Sequence, residues 1–276
     1  MKVTRVGRCC LLAVLSIAVF AVSSASAASL YEVKGLPEIG KCVKTPVGQG
    51  IYAGSSCITV AKKAGTGKYE WTQVNASEKQ TFKGTGGETK FVTAGHGTIK
   101  CIDANLTGEW RGPKTATVEI EFQGCENSHE QVCQTTPPNK SEIKTLPLEG
   151  ELGFIKNQVK EGKPLVTIGL DLKPQSPLTE LATYECGGGP SELNRLEGSV
   201  IGEIKPIDKM TLESNLVYRT TSAGNQLPES FQEAEKDTLT TTFQSGLEST
   251  SAPTALKIKT YVGKNTNPLE IKAKEN

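Results

Sequence analysis

The chain has 276 residues, with 31 basic against 30 acidic side chains and a formal net charge of +1. This balance argues against a nucleic-acid-binding protein, whose affinity rests on a clustered basic surface. Aromatic residues make up only 5% of the chain, while glycine is plentiful. That composition favours an extended β-rich module over an aromatic-lined ligand pocket, and the length is sufficient for a substantial core.

The first 27 residues have the three parts of a secretory signal peptide. Basic residues at positions 2, 5 and 8 precede an apolar run at 10–22, and small residues at 25–27 provide a cleavage site. The apolar run is shorter than the about 20 residues needed to cross a bilayer. We therefore expect a cleaved signal peptide at 1–27, export from the cell, and no transmembrane anchor in the mature chain.

The cysteine count predicts a disulfide framework. Cys9 and Cys10 leave with the signal peptide, and six cysteines remain in the exported chain. An even number in an oxidising compartment is typical of disulfides, although six cysteines allow 15 connectivities. Short, turn-rich intervening segments favour two local bridges and leave the third by elimination. The expected pairs are Cys42–Cys57, Cys125–Cys133 and Cys101–Cys186.

Cys186 stands in the segment YECGGGP and could instead be a nucleophile. A catalytic thiol needs a base, usually histidine, and only His96 and His129 exist. Using Cys186 for catalysis would also leave an odd number of thiols, so we expect it to be structural. The histidines are 33 positions apart and no C-x-x-C pair occurs. The sequence therefore predicts neither a metal site nor a cofactor.

Short segments of alternating apolar and polar residues predict many β-strands. In TATVEIEF (115–122), Val118, Ile120 and Phe122 would face the core. LVTIGLDL (165–172) repeats the pattern, and helical periodicity is weak, with at most a short helix or turn at 228–238. We expect an all-β protein with an antiparallel β-sandwich or barrel-like architecture stapled by disulfides. A glycine-rich stretch suggests a small N-terminal β segment at 28–90, which carries the Cys42–Cys57 hairpin, and a main domain at 91–276.

Several segments, in order, resemble a family of exported proteins of soil actinobacteria to which no activity is assigned. They are GKCVK, GKYEW, the block 97–125, LEGELGF, VTIGLDLKP, YECGGG and GSVIGEIKPIDKM. The resemblance covers nearly all of the mature chain and implies export and a shared fold. It supplies no functional residues. This chain departs from the family at Trp110 and Arg111, where a tyrosine and a small polar residue are usual.

Glu119 and Glu121 are the best candidates for catalytic carboxylates. They would share one face of a strand, as the paired carboxylates of sandwich-fold glycosidases do. Gln123 and Gly124 occupy the positions where a third carboxylate would follow. Alternating lysines and glutamates, as in GEIKPIDK (202–209) and ALKIKTYVGK (255–264), are typical of solvated strand faces. The two glutamates fit the same description.

These features favour a non-enzymatic protein that acts outside the cell or on its envelope as a structural or binding module. Its partner would be an envelope component or a polysaccharide. One alternative is an extracellular polysaccharide hydrolase that uses Glu119 and Glu121. Another is a barrel-like carrier of a small apolar ligand, which would need an interior of several hundred cubic ångströms.

Overall fold

The computed structural model describes residues 35–135, 140–187, 192–221 and 224–274. Within them the chain forms 18 β-strands and no helix, and the strands join into one large antiparallel sheet. The predicted all-β fold is therefore confirmed. The predicted signal peptide at 1–27 lies outside the described residues.

The strands follow one another along the chain with these bounds. The first nine are β1 Glu38–Lys44, β2 Tyr69–Gln73, β3 Gln80–Gly86, β4 Thr89–Thr93, β5 Gly97–Cys101, β6 Asp103–Trp110, β7 Thr115–Gln123, β8 Cys133–Gln134 and β9 Glu142–Lys144. The other nine are β10 Leu148–Lys160, β11 Lys163–Pro174, β12 Glu180–Cys186, β13 Glu192–Gly198, β14 Val200–Lys205, β15 Thr211–Thr220, β16 Gln226–Leu227, β17 Leu239–Ser245 and β18 Glu248–Lys272.

Eight strands close into a ring. The circuit runs β3–β6–β7–β10–β11–β14–β15–β18 and returns from β18 to β3, and every step is an antiparallel pairing. Closure gives each of these strands a partner on both sides within the ring, which protects its edges there. The far part of the β10–β11 hairpin extends beyond the ring and pairs only with itself. The architecture is thus the barrel-like form of the two predicted, and we call it the main ring.

The main ring is filled by the side chains that alternation predicts. On β7, Val118, Ile120 and Phe122 are buried while Glu119 is exposed. The same alternation places Ile168, Leu170 and Leu172 of β11 on the inner face. An eight-stranded ring is just wide enough for its own side chains to fill. The ring interior is accordingly the main hydrophobic core.

Glycines opposite large side chains allow this interior to pack. A Cβ at Gly108 would overlap the ring of Phe82 on the neighbouring strand β3. A Cβ at Gly202 would lie 2.8 Å from Cζ of Tyr218 and 2.7 Å from Cδ1 of Leu216. Pairing small with large residues is how a narrow ring accommodates aromatic side chains.

A second, smaller ring continues from one end of the first. It contains β4, β5, residues 125–126, β8, β12, β13, β17 and the first half of β18. Inside it, the hydroxyls of Thr93, Thr254 and Thr241 form a chain with spacings of 3.0 and 2.7 Å. Tyr184 joins this chain through Thr241, and burial raises the pKa of Tyr184 to about 12. Hydrogen bonds among these hydroxyl groups offset the free-energy cost of burying them.

The disulfides agree with the prediction at one bridge and differ at the other two. Cys42–Cys57 is present, but Cys101 pairs with Cys125, and Cys133 pairs with Cys186. Cys133 and Cys186 stand directly opposite each other on β8 and β12. The predicted bridges Cys125–Cys133 and Cys101–Cys186 are therefore wrong. All six cysteines are nevertheless structural, as expected.

Hydrogen bonds hold the loop between Cys125 and Cys133 closed, so that no disulfide between these two cysteines is needed. Oδ1 of Asn127 accepts hydrogen bonds from the backbone N–H groups of His129 and Gln131, at 2.9 and 3.0 Å. The N–H of Cys133 donates to the carbonyl of Cys125 at 2.8 Å. An asparagine that caps its own turn needs no covalent closure. Each cysteine is therefore available to the neighbouring strand.

The N-terminal strands β1 and β2 form an addition at the far end of β18. β1 pairs with the last residues of β18 on one side and with β2 on the other. The ammonium of Lys272 lies 4.6 Å from the centre of the Trp71 ring. β3 belongs to the main ring, and residue 90 lies within β4. Segment 28–90 therefore contributes both this addition and part of the rings.

Residues 228–238 lie across the outer face of the main ring, and we call them the strap. The ring of Phe231 packs on Gly153, where a Cβ would lie 2.6 Å from Cδ2 of Phe231. The N–H of Gln232 donates to the carbonyl of Phe154 at 2.6 Å. The strap contains turns and no helix. Of the two predictions for this segment, the turn is confirmed.

Peptide mapping without reduction tests the bridges. Because trypsin leaves Cys125 and Cys133 in one peptide, we expect that peptide to be linked to both the Cys101 and the Cys186 peptides. Further cleavage after Glu126 or Glu130 should separate the two crosslinked pairs. A Cys101 peptide linked directly to the Cys186 peptide would contradict the structure.

Replacing Gly108 by alanine tests the packing of the main ring. The added methyl overlaps the Phe82 ring, so we expect Gly108→Ala to lower the free energy of unfolding by about 1–3 kcal/mol in urea titrations. Gly54→Ala is the matched control, because a Cβ at Gly54 has nothing within 4 Å. Equal stability of the two variants would contradict the packing described.

Candidate functional site

Glu119 and Glu121 lie on the outer face of the main ring, on the same side of β7 as predicted. The side chain of Glu119 is 50% exposed, and its carboxylate lies 3.8 Å from the ammonium of Lys144. Glu121 accepts a hydrogen bond from the Gln123 amide at 3.1 Å. Two solvated carboxylates on an open strand face lack the enclosed substrate position that glycoside hydrolysis requires. The structure therefore gives no support to catalysis at this pair.

A cavity of about 40 Å³ lies among the inner side chains of the main ring. Its lining includes Phe82, Trp110, Leu170 and Tyr261, and the Trp110 indole N–H donates to Oδ1 of Asn265 at 3.4 Å. Sites for drug-sized ligands measure about 300–1,000 Å³. The main ring is thus mostly filled by its own side chains. The volume of this cavity is far smaller than the several hundred cubic ångströms that a carrier of a small apolar ligand would need.

The two histidines lie in separate turns of the second ring. His96 stacks on Phe243 with 4.2 Å between ring centres. His129 sits in the loop capped by Asn127. In the part of the chain that the structure describes, no group of three His, Cys, Asp or Glu side chains is arranged to hold a metal ion. Nor does any helix there have the length and apolar character to cross a membrane.

A surface groove of about 640 Å³ lies where the main ring meets the second ring, and we call it the junction groove. It forms because the strands bend there. The register of β15 against β18 shifts between Leu216 and Tyr218, and Gly87 and Glu88 interrupt the strand path from β3 to β4. Irregularities of this kind bend strands and re-aim side chains. The outer surface becomes concave at this position.

The floor of the junction groove is apolar and its walls carry positive charge. Val217 on the floor is partly exposed, whereas Tyr218 and Ile258, which also border the groove, are buried with their side chains in the ring core. Lys90, Lys257, Lys259 and Arg219 line the walls. Inner and outer residues alternate on β18, so Lys257 and Lys259 point outward on either side of Ile258. Alternation in the segment ALKIKTYV thus builds both the ring core and the groove wall.

Two carboxylates lie among these cations. Glu88 binds Lys100 at 2.8 Å and Lys90 at 3.1 Å, and these ammonium groups hold the pKa of Glu88 below its ordinary value. Glu203 binds Lys205 and Arg219, each at 2.6 Å. Burial opposes ionisation of Glu203, but these hydrogen bonds outweigh it and lower the pKa. Both acids are therefore ionised at neutral pH.

Sequence patterns did not single out the junction groove. The pattern of ALKIKTYVGK predicts a solvated strand face, and on β18 alone the lysines form one. Their role depends on strand neighbours, because Lys90 and Lys257 are brought together by the pairing of β4 with β18. The only local signal is the pair of lysines at 257 and 259, which are two positions apart.

Asp171 is a buried acid beneath the strap. It is 5% exposed, and its Oδ1 has no hydrogen-bond partner among the described residues. Burial raises its pKa to about 7, with a further contribution from the carboxylate of Asp237 in the strap. Glu151 on β10 adds to this effect, while Lys173, paired with Glu151 at 3.1 Å, opposes it. Asp171 is a stability determinant outside the junction groove.

The fold and its bridges define the class as an all-β, disulfide-bonded protein. Three disulfides are consistent with an extracellular location, since that compartment is oxidising. No known protein family matches the chain, and no characterised protein or solved structure is similar enough to match it. Inferences about function therefore rest on the geometry of the chain itself.

The raised pKa of Asp171 predicts stability that declines as pH rises. The folded protein binds this proton up to about pH 7, whereas the unfolded chain releases it near 3.8. The free energy of unfolding should fall between pH 4 and 7 by an amount on the order of 4 kcal/mol and then level off. Asp171→Asn should remove most of this decline and raise stability at pH 8.

Urea titrations from pH 4 to 8 measure the effect, with Glu119→Gln as the matched control on an exposed carboxylate. The control should keep the pH profile of the unmodified protein. An Asp171→Asn profile that declines as steeply as the unmodified one would contradict the assignment.

Proposed function

We propose that the chain is an exported, non-enzymatic binding protein that acts outside the cell or on the cell envelope, with the junction groove as its binding site. The proposal includes membership of the exported actinobacterial family that the sequence resembles. The ligand is a component of the envelope, and a polysaccharide fits best. The groove is the observation that carries this proposal.

Three features support binding at the junction groove. It is concave, it combines an apolar floor with charged walls, and its backbone belongs to strands of both rings. Binding sites commonly join an apolar surface with a few placed polar groups. Such an arrangement needs no reactive residue. A protein that holds a ligand without transforming it requires only this kind of surface.

Export is supported by features at two levels. The sequence predicts a secretory signal at 1–27, and the structure contains three disulfides among the described residues. Disulfides form and persist in oxidising compartments and are rare in the cytosol. Together they favour a protein that matures after leaving the cell.

Neither alternative gains a specific supporting observation. A hydrolase would use Glu119 and Glu121, which are solvated on the outer face of the main ring. A carrier would use the interior of that ring, where the cavity is about 40 Å³. The non-enzymatic binding protein remains as the proposal.

Sedimentation with isolated Gram-positive cell walls that retain their anionic polymers tests the proposal. We expect the mature protein to sediment with the walls and to release no reducing ends from them. A Glu119→Gln/Glu121→Gln double variant should sediment equally well, because these carboxylates lie outside the groove.

Two outcomes would overturn the proposal. A protein that stays in the supernatant at all wall concentrations is not an envelope-binding protein of this kind. Release of reducing ends that disappears in the double variant would instead establish the hydrolase.

A further inference from the structure

Three lysines stand in a row across neighbouring strands at the junction groove. Lys257 of β18 is directly opposite Lys90 of β4, and Lys90 is directly opposite Lys100 of β5. Lys90 and Lys257 stand between buried neighbours, and Lys100 precedes the buried Cys101, so all three project from the outer face. Opposed side chains in a sheet have Cβ atoms about 5 Å apart, and like charges at that spacing are destabilising. The row therefore costs stability unless an anion lies against it.

The protein neutralises only part of this charge. Glu88 pairs with Lys90 and Lys100, but Lys257 and Lys259 form no ion pair with any residue that the structure describes. The lining of the groove contains four cations, Lys90, Arg219, Lys257 and Lys259, and one acid, Glu88, so the difference is 4 − 1 = +3.

This local excess contrasts with the whole chain, whose formal net charge is only +1. Positive charge is therefore concentrated at the groove, even though the overall balance argues against a nucleic-acid-binding protein. A concave surface lined by one sign of charge raises the local concentration of oppositely charged ligands. The groove is thus electrostatically suited to an anion.

The shape of the groove indicates which class of anion fits it. Its floor includes the partly exposed apolar side chain of Val217, while the ammonium groups stand along the walls. A sugar ring can lay its C–H face on such a floor while its charged substituent reaches the lysines. Because the groove is open at the surface, a chain can pass through it without an end having to enter.

We propose that the junction groove binds a linear acidic glycan, whose carboxylate or phosphodiester groups contact Lys90, Lys257 and Lys259. This inference rests on the proposed function and specifies its ligand class. Single-stranded nucleic acid fits less well, because its binding depends on exposed aromatic platforms and Tyr218 is fully buried. A concave groove also fits a flat lipid surface poorly.

A charge-removal experiment tests the assignment with a matched control. Lys90→Gln/Lys257→Gln removes one opposed lysine pair in the groove. Lys83→Gln/Lys264→Gln removes a second opposed pair, on β3 and β18, outside it. Titration calorimetry with polygalacturonate, poly(glycerol phosphate) and neutral pullulan then separates carboxylate, phosphodiester and uncharged chains.

We expect one or both acidic chains to bind and pullulan not to bind. The groove variant should weaken binding about tenfold, because it removes two exposed charge contacts. It should also lower the salt dependence, because fewer charges are neutralised. The control variant should change affinity less than twofold. Urea titrations should show the groove variant folded and at least as stable, since it removes a like-charge pair.

The outcomes separate this inference from the proposed function. If the protein sediments with cell walls but both variants bind acidic glycans equally, the groove assignment is wrong and the proposed function stands. Binding of pullulan as tightly as polygalacturonate would also overturn the assignment. So would tighter binding of single-stranded DNA, or of phosphatidylglycerol vesicles, than of either acidic chain. Failure of the unmodified protein to sediment at all overturns the proposed function itself.

Discussion

One strand, β18, organises the whole molecule. Along its 25 residues it pairs in succession with β17, β4, β15, β3 and β1. It thereby belongs to the second ring, the main ring and the N-terminal addition in turn. Because side chains alternate along a strand, a shift of one residue would exchange its inner and outer faces. The core contacts of Leu256 and Ile258 fix the register that places Lys257 and Lys259 outside.

The sequence predicts this fold well where one face of a strand is buried and the other is exposed to solvent. Val118, Ile120 and Phe122 alternate with solvated glutamates, and their inward orientation follows from period two alone. Prediction fails where the second face is also covered. Asp171 and Gly169 are buried on the outer face of β11 by packing that includes the strap and β14. No pattern within 165–172 contains that information.

Two of the three disulfides and the junction groove escaped prediction for a common physical reason. Cysteine spacing reports loop length, whereas pairing depends on which strands become neighbours, as β8 and β12 do. Lys90 and Lys257 are 167 positions apart and meet only because β4 and β18 pair. Long-range register is a property of the closed sheet. Local sequence patterns predict the strands, whereas closure of the rings determines which residues lie opposite one another.

The bend at the junction has a thermodynamic consequence for recognition. Most of the backbone around the groove is held in place by ladder hydrogen bonds to strands on either side. The main chain therefore loses little conformational entropy when a polymer binds. Most of the entropic cost comes from ordering a few lysine side chains. Each such contact can form and break separately along the polymer. In the proposed binding mode, the groove is a rigid surface along which an acidic polymer can slide. Its affinity for the polymer rises with the charge density of that polymer.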